Sequence, residues 1–162
     1  MNNNDTLRRL RYALDLTDAQ VVVLFGLGGQ TVTEEEVLTF INSEDEEGLA
    51  YCTDSMFSCF LDGLIIDRRG PPPAGRPVPP PTLELTNNAT LKKLRIALNL
   101  HEDAMLATLK AGGHVMSRGE LTALFRKPQH KHYRECGDQV LRKFLNGLTK
   151  RLRPPGASQP AE

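Results

Sequence analysis

Long apolar runs are missing from this 162-residue chain. No stretch approaches the roughly 18 residues that a bilayer span requires. The polar start MNNNDTLRRL also lacks the apolar segment of a secretory signal. No membrane partner is therefore expected, and the chain reads as cytoplasmic. Cysteine is scarce: Cys52, Cys59 and Cys136 make an odd number without framework spacing, which argues against structural disulfides and fits a reducing compartment. Strand-like alternation is hard to find anywhere. Phosphate-loop signatures are wanting too, because the glycine pairs at 28–29 and 112–113 follow no strand and lead into neither G-x-G-x-x-G nor G-K-S/T. Net charge is zero, with 20 Lys and Arg against 20 Asp and Glu, but that sum hides an asymmetry.

What the chain has is a repeat. A shift of 84 positions aligns Asn4 through Arg69 with Asn88 through Arg153 without a gap, at about 18 identities in 66 positions. The matches fall in blocks. NDTLRRLRYALDL lies over NATLKKLRIALNL, Gly28 and Gly29 over Gly112 and Gly113, and Cys52, Asp54, Phe60, Leu61, Gly63 and Leu64 over Cys136, Asp138, Phe144, Leu145, Gly147 and Leu148. Most are apolar or glycine, as a shared core and shared turns would retain.

Periodicity predicts an all-α fold, two tandem copies of a small unit of about four helices each, joined by a proline-rich linker. Leu7, Leu10 and Leu14 recur at helical spacing after Asn4, which is expected to cap the first helix. Val21, Val22, Leu24 and Phe25 form the second helix behind Thr17, and Gly28 and Gly29 end it. The third opens on one capping box written twice, Thr33 with Glu36 and Ser117 with Glu120. The fourth begins near Asp54 or Asp138, both expected as N-caps, with the stripe Phe57, Phe60, Leu61 and Leu64 answered by Leu141, Phe144, Leu145 and Leu148. Residues 1–69 are thus an acidic helical repeat, 70–86 a proline-rich linker, 87–153 a basic helical repeat, and 154–162 a tail expected to be disordered. Seven prolines between Pro71 and Pro81 favour extended polyproline II, so the linker is expected to act as a semi-rigid spacer and the two units need not touch.

The pattern NN-x-x-L-K/R-K/R-L-R-x-A-L, then paired glycines, then C-x-D with F-L-x-G-L, occurs twice and resembles the YehS family of small bacterial proteins. HKHYRECGDQVLRKFLNGL, residues 130–148, is the most specific stretch. The resemblance spans both copies and implies a tandem domain of unknown function without assigned catalytic residues. The linker here is longer than that family's usual connection.

Charge separates the copies. From 4 to 69 the chain carries 5 Lys and Arg against 13 Asp and Glu, whereas from 88 to 153 it carries 14 against 5. Clustered cations gain affinity for a phosphate backbone by releasing its condensed counterions. The expected function is therefore non-catalytic binding, with the basic second repeat contacting an anionic partner, nucleic acid first, through Arg118, Arg126, Lys127, Lys131, Tyr133, Arg134, Arg142 and Lys143. Helices two and three, joined across the double glycine, have the proportions of a helix-turn-helix pair, and helix three of the second copy would then approach the duplex. The alternative is a protein–protein interaction or assembly module, in which the acidic and basic repeats dock on each other, within one chain or between chains, or on other proteins.

Other candidates have simpler accounts. His130, His132 and Cys136, with His114, could hold Zn²⁺ if all four converged. Cys52 persists where both histidines are replaced, however, so a small buried residue is the expectation and no metal is assigned. Cys59 aligns with Lys143 and is expected to be at least partly exposed. The acidic run Glu44 to Glu47 lacks the alternating ligands of a calcium loop. Tyr133, Arg134 and Glu135 either line a ligand surface, with ring on base and guanidinium on phosphate, or order the loop before helix four. No nucleophile, base and orienting group recur at meaningful spacing, so neither an enzyme nor a cofactor is expected.

Overall fold

A computed structural model of the chain describes residues 1–42, 51–74 and 84–153. Eight α-helices and no strand occur among the described residues: α1 (Asn3–Ala13), α2 (Asp18–Leu27), α3 (Glu34–Asn42) and α4 (Asp54–Arg69) in the first repeat, α5 (Asn87–Ala97), α6 (Glu102–Ala111), α7 (Arg118–Leu124) and α8 (Asp138–Leu152) in the second. The acidic run 44–47, the centre of the linker and the tail lie outside the described residues.

The capping boxes predicted for the third helix of each repeat hold, and α2 has one as well. Thr17 and Gln20 close a capping box on α2, Thr33 and Glu36 one on α3, and Ser117 and Glu120 one on α7. Each satisfies first-turn amides that have no partner inside the helix. The caps expected for the first and fourth helices are wrong. α1 is capped by Asn2, whose side chain accepts from Asp5 N, and α5 by Thr86. Asn4 and Asn88 lie two residues farther in and are buried, 0% and 7% exposed. α4 is capped by Thr53, and α8 starts after Gly137 with no side-chain cap. Asp54 and Asp138 are therefore the first helical residues, free to bond elsewhere.

Within each repeat the second helix packs on the fourth. Their backbones approach so closely that a Cβ at Gly63 would sit 1.7 Å from Leu24 O, and one at Gly147 1.8 Å from Thr108 O. Gly28 and Gly112 face the same crossings from the other helix. The shared glycines at 63 and 147 thus mark a helix crossing, not a turn. The following glycines do make a turn: Gly29 and Gly113 take φ of 98° and 92°, the left-handed residue of a Schellman ending, with Gln30 N donating to Phe25 O and His114 N to Leu109 O.

The repeats touch, although a proline-rich linker did not require it. α1 packs mainly on α8 and α5 mainly on α4, so each repeat's first helix lies on the other's last. Buried Leu7, Leu10 and Ala13 of α1 and Leu91, Leu94 and Ala97 of α5 join one hydrophobic core that runs through both repeats. The polar contacts across this interface obey an approximate two-fold. Asp54 Oδ2 accepts from Leu85 N at 2.9 Å, and Asp138 Oδ2 from the Met1 ammonium at 2.8 Å; each pair is related to the other by the 84-residue shift. Arg9 donates to Asn146 Oδ1 at 3.1 Å, where the shifted pair is Lys93 on Asp62. Arg153 adds an ion pair to Asp15 at 2.9 Å and lies over the Tyr12 ring. The ammonium and the Asn87 amide hold the Asp138 carboxyl below the usual range. A self-complementary surface of this kind is what a two-fold requires.

Candidate nucleic-acid interface

The loop between α7 and α8 is built from the core outward. Asn88 uses its whole side-chain amide: Nδ2 donates to Leu124 O at 2.9 Å and Arg134 O at 2.8 Å, and Oδ1 accepts from Cys136 N at 2.8 Å. One buried residue of α5 thereby ties together the end of α7, the loop and the entrance to α8. Asn87 adds bonds to Cys136 O and Asp138 Oδ1. The first repeat repeats the device, with Asn3 on Cys52 O and Asp54, and Asn4 Oδ1 accepting from Cys52 N. This is why NN and C-x-D occur together in both copies. Arg134 N also donates to Ala123 O at 3.1 Å, and Tyr133 N to His130 O at 3.0 Å.

Held in this way, the half-buried Tyr133 stands between two clefts. The larger, about 550 Å³, is open and is lined by Gly119, Glu120, Ala123, Arg126, His132, Tyr133 and Arg134. The smaller, about 210 Å³, shares Tyr133 and Arg126 with it and adds Lys92 of α5, Lys127, Phe125 and Pro128. Arg126 is half buried, its Nε without a partner and its Nη1 3.3 Å from His130 Nε2. Arg134 bonds Glu120 Oε2 at 3.2 Å. The Ser117 backbone amide and hydroxyl, with Arg134 contributing, hold the Glu120 carboxyl below the usual carboxylate range. Lys127 and Lys131 are exposed. The two accounts of the Tyr133–Glu135 stretch therefore divide between backbone and side chain: the Arg134 backbone orders the loop, while its guanidinium and the Tyr133 ring line a cleft.

Residues 3–70 and 87–153 each match a family model described as a protein of unknown function, DUF1456. The chain belongs to the DUF1456 family. The uncharacterized protein YehS of Escherichia coli (strain K12) is 43% identical over 151 residues, covering 93% of this chain and 96% of that protein, so the resemblance seen in the repeated motif holds. No solved structure matches the chain.

The DUF1456 repeat does not gather all eight predicted residues. Arg126, Tyr133 and Arg134 share the larger cleft, and Lys127 lines the smaller. Arg118, the first residue of α7, does not line either cleft and is engaged by Asp103 and by Glu102 at 3.2 Å, and these carboxylates hold its proton more firmly still. Arg142 lines a separate hollow with Met1, Asp5, Arg8 and Arg9. Lys143 has its backbone carbonyl against Gly112 and its side chain toward Gly113. Lys92, His132 and Asn88 were not among the predicted residues. Lys92 falls outside the basic run of the loop, and only the coincidence of NN with C-x-D marked Asn88.

The other candidates are placed as follows. Cys136 is buried, and burial with the nearby Asp138 carboxylate pushes its thiol up to about 11. Burial, then Asp54 and Cys59, pushes Cys52 to about 12. Cys136 faces the core while His130 and His132 stand on the exposed loop with ring centroids 5.6 Å apart. Among the described residues no group of three or more His, Cys, Asp or Glu side chains forms a metal-holding cluster. Cys59 is 6% exposed, not partly open as its alignment with Lys143 implied. It lies where α4 crosses α2, with its carbonyl against Gly28, so its thiol is buried although the aligned lysine carries its charge out along an aliphatic stem. No helix among the described residues is long and apolar enough to cross a membrane.

Proposed function

We propose that this protein is a non-catalytic nucleic-acid-binding protein that holds unpaired bases and their phosphates at the α7–α8 loop of the basic repeat. The observation that carries this reading is the position of Tyr133, a half-buried aromatic between two clefts whose walls supply Arg126, Arg134, Lys127 and Lys92. An aromatic ring that lines a cleft is a candidate platform for base stacking, and guanidinium and ammonium groups beside it suit the flanking phosphates. The aligned positions of the acidic repeat carry Glu44, Asp45, Glu46 and Glu47 in place of Pro128, Gln129, His130 and Lys131, so the reading assigns binding to one repeat. A duplex reader is less well supported. α7 has only seven residues, Arg118 at its start is paired with two carboxylates, and Glu120 adds a negative charge to the same first turn.

Fluorescence anisotropy with a labelled single-stranded RNA tests the proposal on the full chain. If Arg126, Lys127, Lys131 and Arg134 each neutralise a phosphate, log affinity should fall with log salt at a slope of about −3, from roughly 0.7 per contact on a single strand. Tyr133→Ala should weaken binding by about 1–3 kcal/mol, the range for losing one stacked base. Absence of binding at low salt, or affinity indifferent to Arg126→Ala and Tyr133→Ala together, would reject it.

A second reading, in which opposite charges serve to assemble the repeats, is favoured by the ion pairs Lys93–Asp62 and Arg153–Asp15. Those pairs use few of the cations, and the loop arginines and lysines are not among them.

A further inference from the structure

The acidic repeat carries a surface that the fold does not require. α2 reads DAQVVVLFGL. It buries Val21, Leu24 and Phe25, and its opposite face, made of Ala19, Val23, Gly26 and Leu27 at helical spacing, is exposed, with Val23 57% and Leu27 42% open. Leu38 on α3, the helix packed beside α2, is 44% open. A helix apolar on all sides is ordinarily covered on all sides. The second repeat supplies the control within the same molecule. In α6 the corresponding positions are Asp103, Ala107, Lys110 and Ala111, and Leu38 is replaced by Thr122. The same architecture is thus built with a polar face there, so the apolar one answers to something other than folding.

We propose that this face of α2 docks an amphipathic helix of a partner protein, one with an apolar seam flanked by lysine and arginine. Charge complementarity selects that occupant. Glu34 and Glu35 open α3 beside the face and are exposed, with no cationic partner among the described residues. α2 itself contains no lysine or arginine, and the one arginine that reaches its start, Arg11, is bound to Asp18 at 3.0 Å. At Gly26 no side chain stands in the way, and nothing lies within 4 Å of where its Cβ would be. A partner helix can therefore approach the backbone closely between Val23 and Leu27, as small residues permit at helix crossings. A groove-docked helix gains affinity from its apolar anchors and orientation from its charged flanks. The inference is independent of the nucleic-acid reading, which uses the other repeat.

The full-length protein, labelled with ¹⁵N, would be titrated with a synthetic helical peptide of leucine, alanine and lysine in which leucine forms one seam. Backbone resonances of Ala19, Val23, Gly26, Leu27 and Leu38 should shift. Leu27→Gln should weaken binding at least tenfold while the thermal midpoint stays in place, and Glu34→Lys with Glu35→Lys should weaken it severalfold. The controls are decisive. A peptide with glutamate for lysine, or with glutamine for leucine, that bound equally well would overturn the proposal, as would shifts confined to the basic repeat or absent at millimolar peptide. A concentration-dependent dimer of the protein alone, abolished by Leu27→Gln, would also overturn it by naming a second copy as the occupant.

Discussion

Asn4 and Asn88 sit where an asparagine would be taken for a helix cap, and the difference between the two roles is measurable. A cap stands in water, and its loss to alanine costs about 1 kcal/mol. Asn88 is buried, and its removal strands Cys136 N–H and the carbonyls of Leu124 and Arg134. Each buried group left without a partner costs about 1–3 kcal/mol. Asn88→Ala is therefore expected to destabilise the protein by about 3 kcal/mol or more, against about 1 kcal/mol for the true cap substitution Asn2→Ala, read from urea midpoints. Because Asn88 also fixes Arg134, the cleft beside Tyr133 should loosen with it. Equal losses at the two positions would restore the capping role. Sequence showed the asparagine pair and the C-x-D motif as separate repeated features. Their connection spans 48 residues between Asn88 and Cys136, and local spacing carries no signal for a bond of that reach.

At the scale of elements, the glycines at 63 and 147 decide how two helices cross. Added methyl groups would meet main-chain carbonyls at 1.7–1.8 Å, which no rotamer change relieves, so the helices must move apart and unpack their shared core. Overpacking of this kind typically costs 1–3 kcal/mol. Here the obstacle is backbone, and Gly147→Ala should cost about 3 kcal/mol or more. Gly137→Ala is the control, since nothing lies within 4 Å of a Cβ there. Thermal melts of the two variants should differ clearly; similar midpoints would mean that the crossing is looser than its geometry. The capping boxes were legible because cap and partner are three residues apart, a distance at which sequence and structure coincide. The glycines were visible too, but their meaning was not, since a turn and a crossing both select the residue without a side chain.

For the whole molecule, the exchange of helices between repeats makes each half incomplete. A 66-residue helical unit is marginal alone. Here α1 packs mainly on α8, and α5 mainly on α4, within one continuous core. Fragments 1–74 and 84–162 made separately are expected to be unfolded or self-associated by circular dichroism and sedimentation. Mixed or co-expressed, they should recover native helicity. Two cooperatively melting monomeric fragments would refute the shared core. Salt should leave the scattering radius of the full chain nearly unchanged, because apolar helix faces carry the contact and the ion pairs across it are few.

Residue pattern alone determined that the chain is a helical duplication, where its helices run, how the third pair is capped and that charge is divided between the copies. Each of these depends on neighbours a few positions apart or on comparison of one copy with the other. Tertiary structure decided that the repeats share a core, that Asn88 stitches the loop, that Arg126, Tyr133 and Arg134 meet while Arg118 and Arg142 do not, and that one face of α2 is left bare. An amphipathic stripe states that a helix must be covered, and the hydrophobic effect that covers it is non-directional. The identity of the covering helix, in the same repeat or the other, is settled only by how all eight faces pack at once.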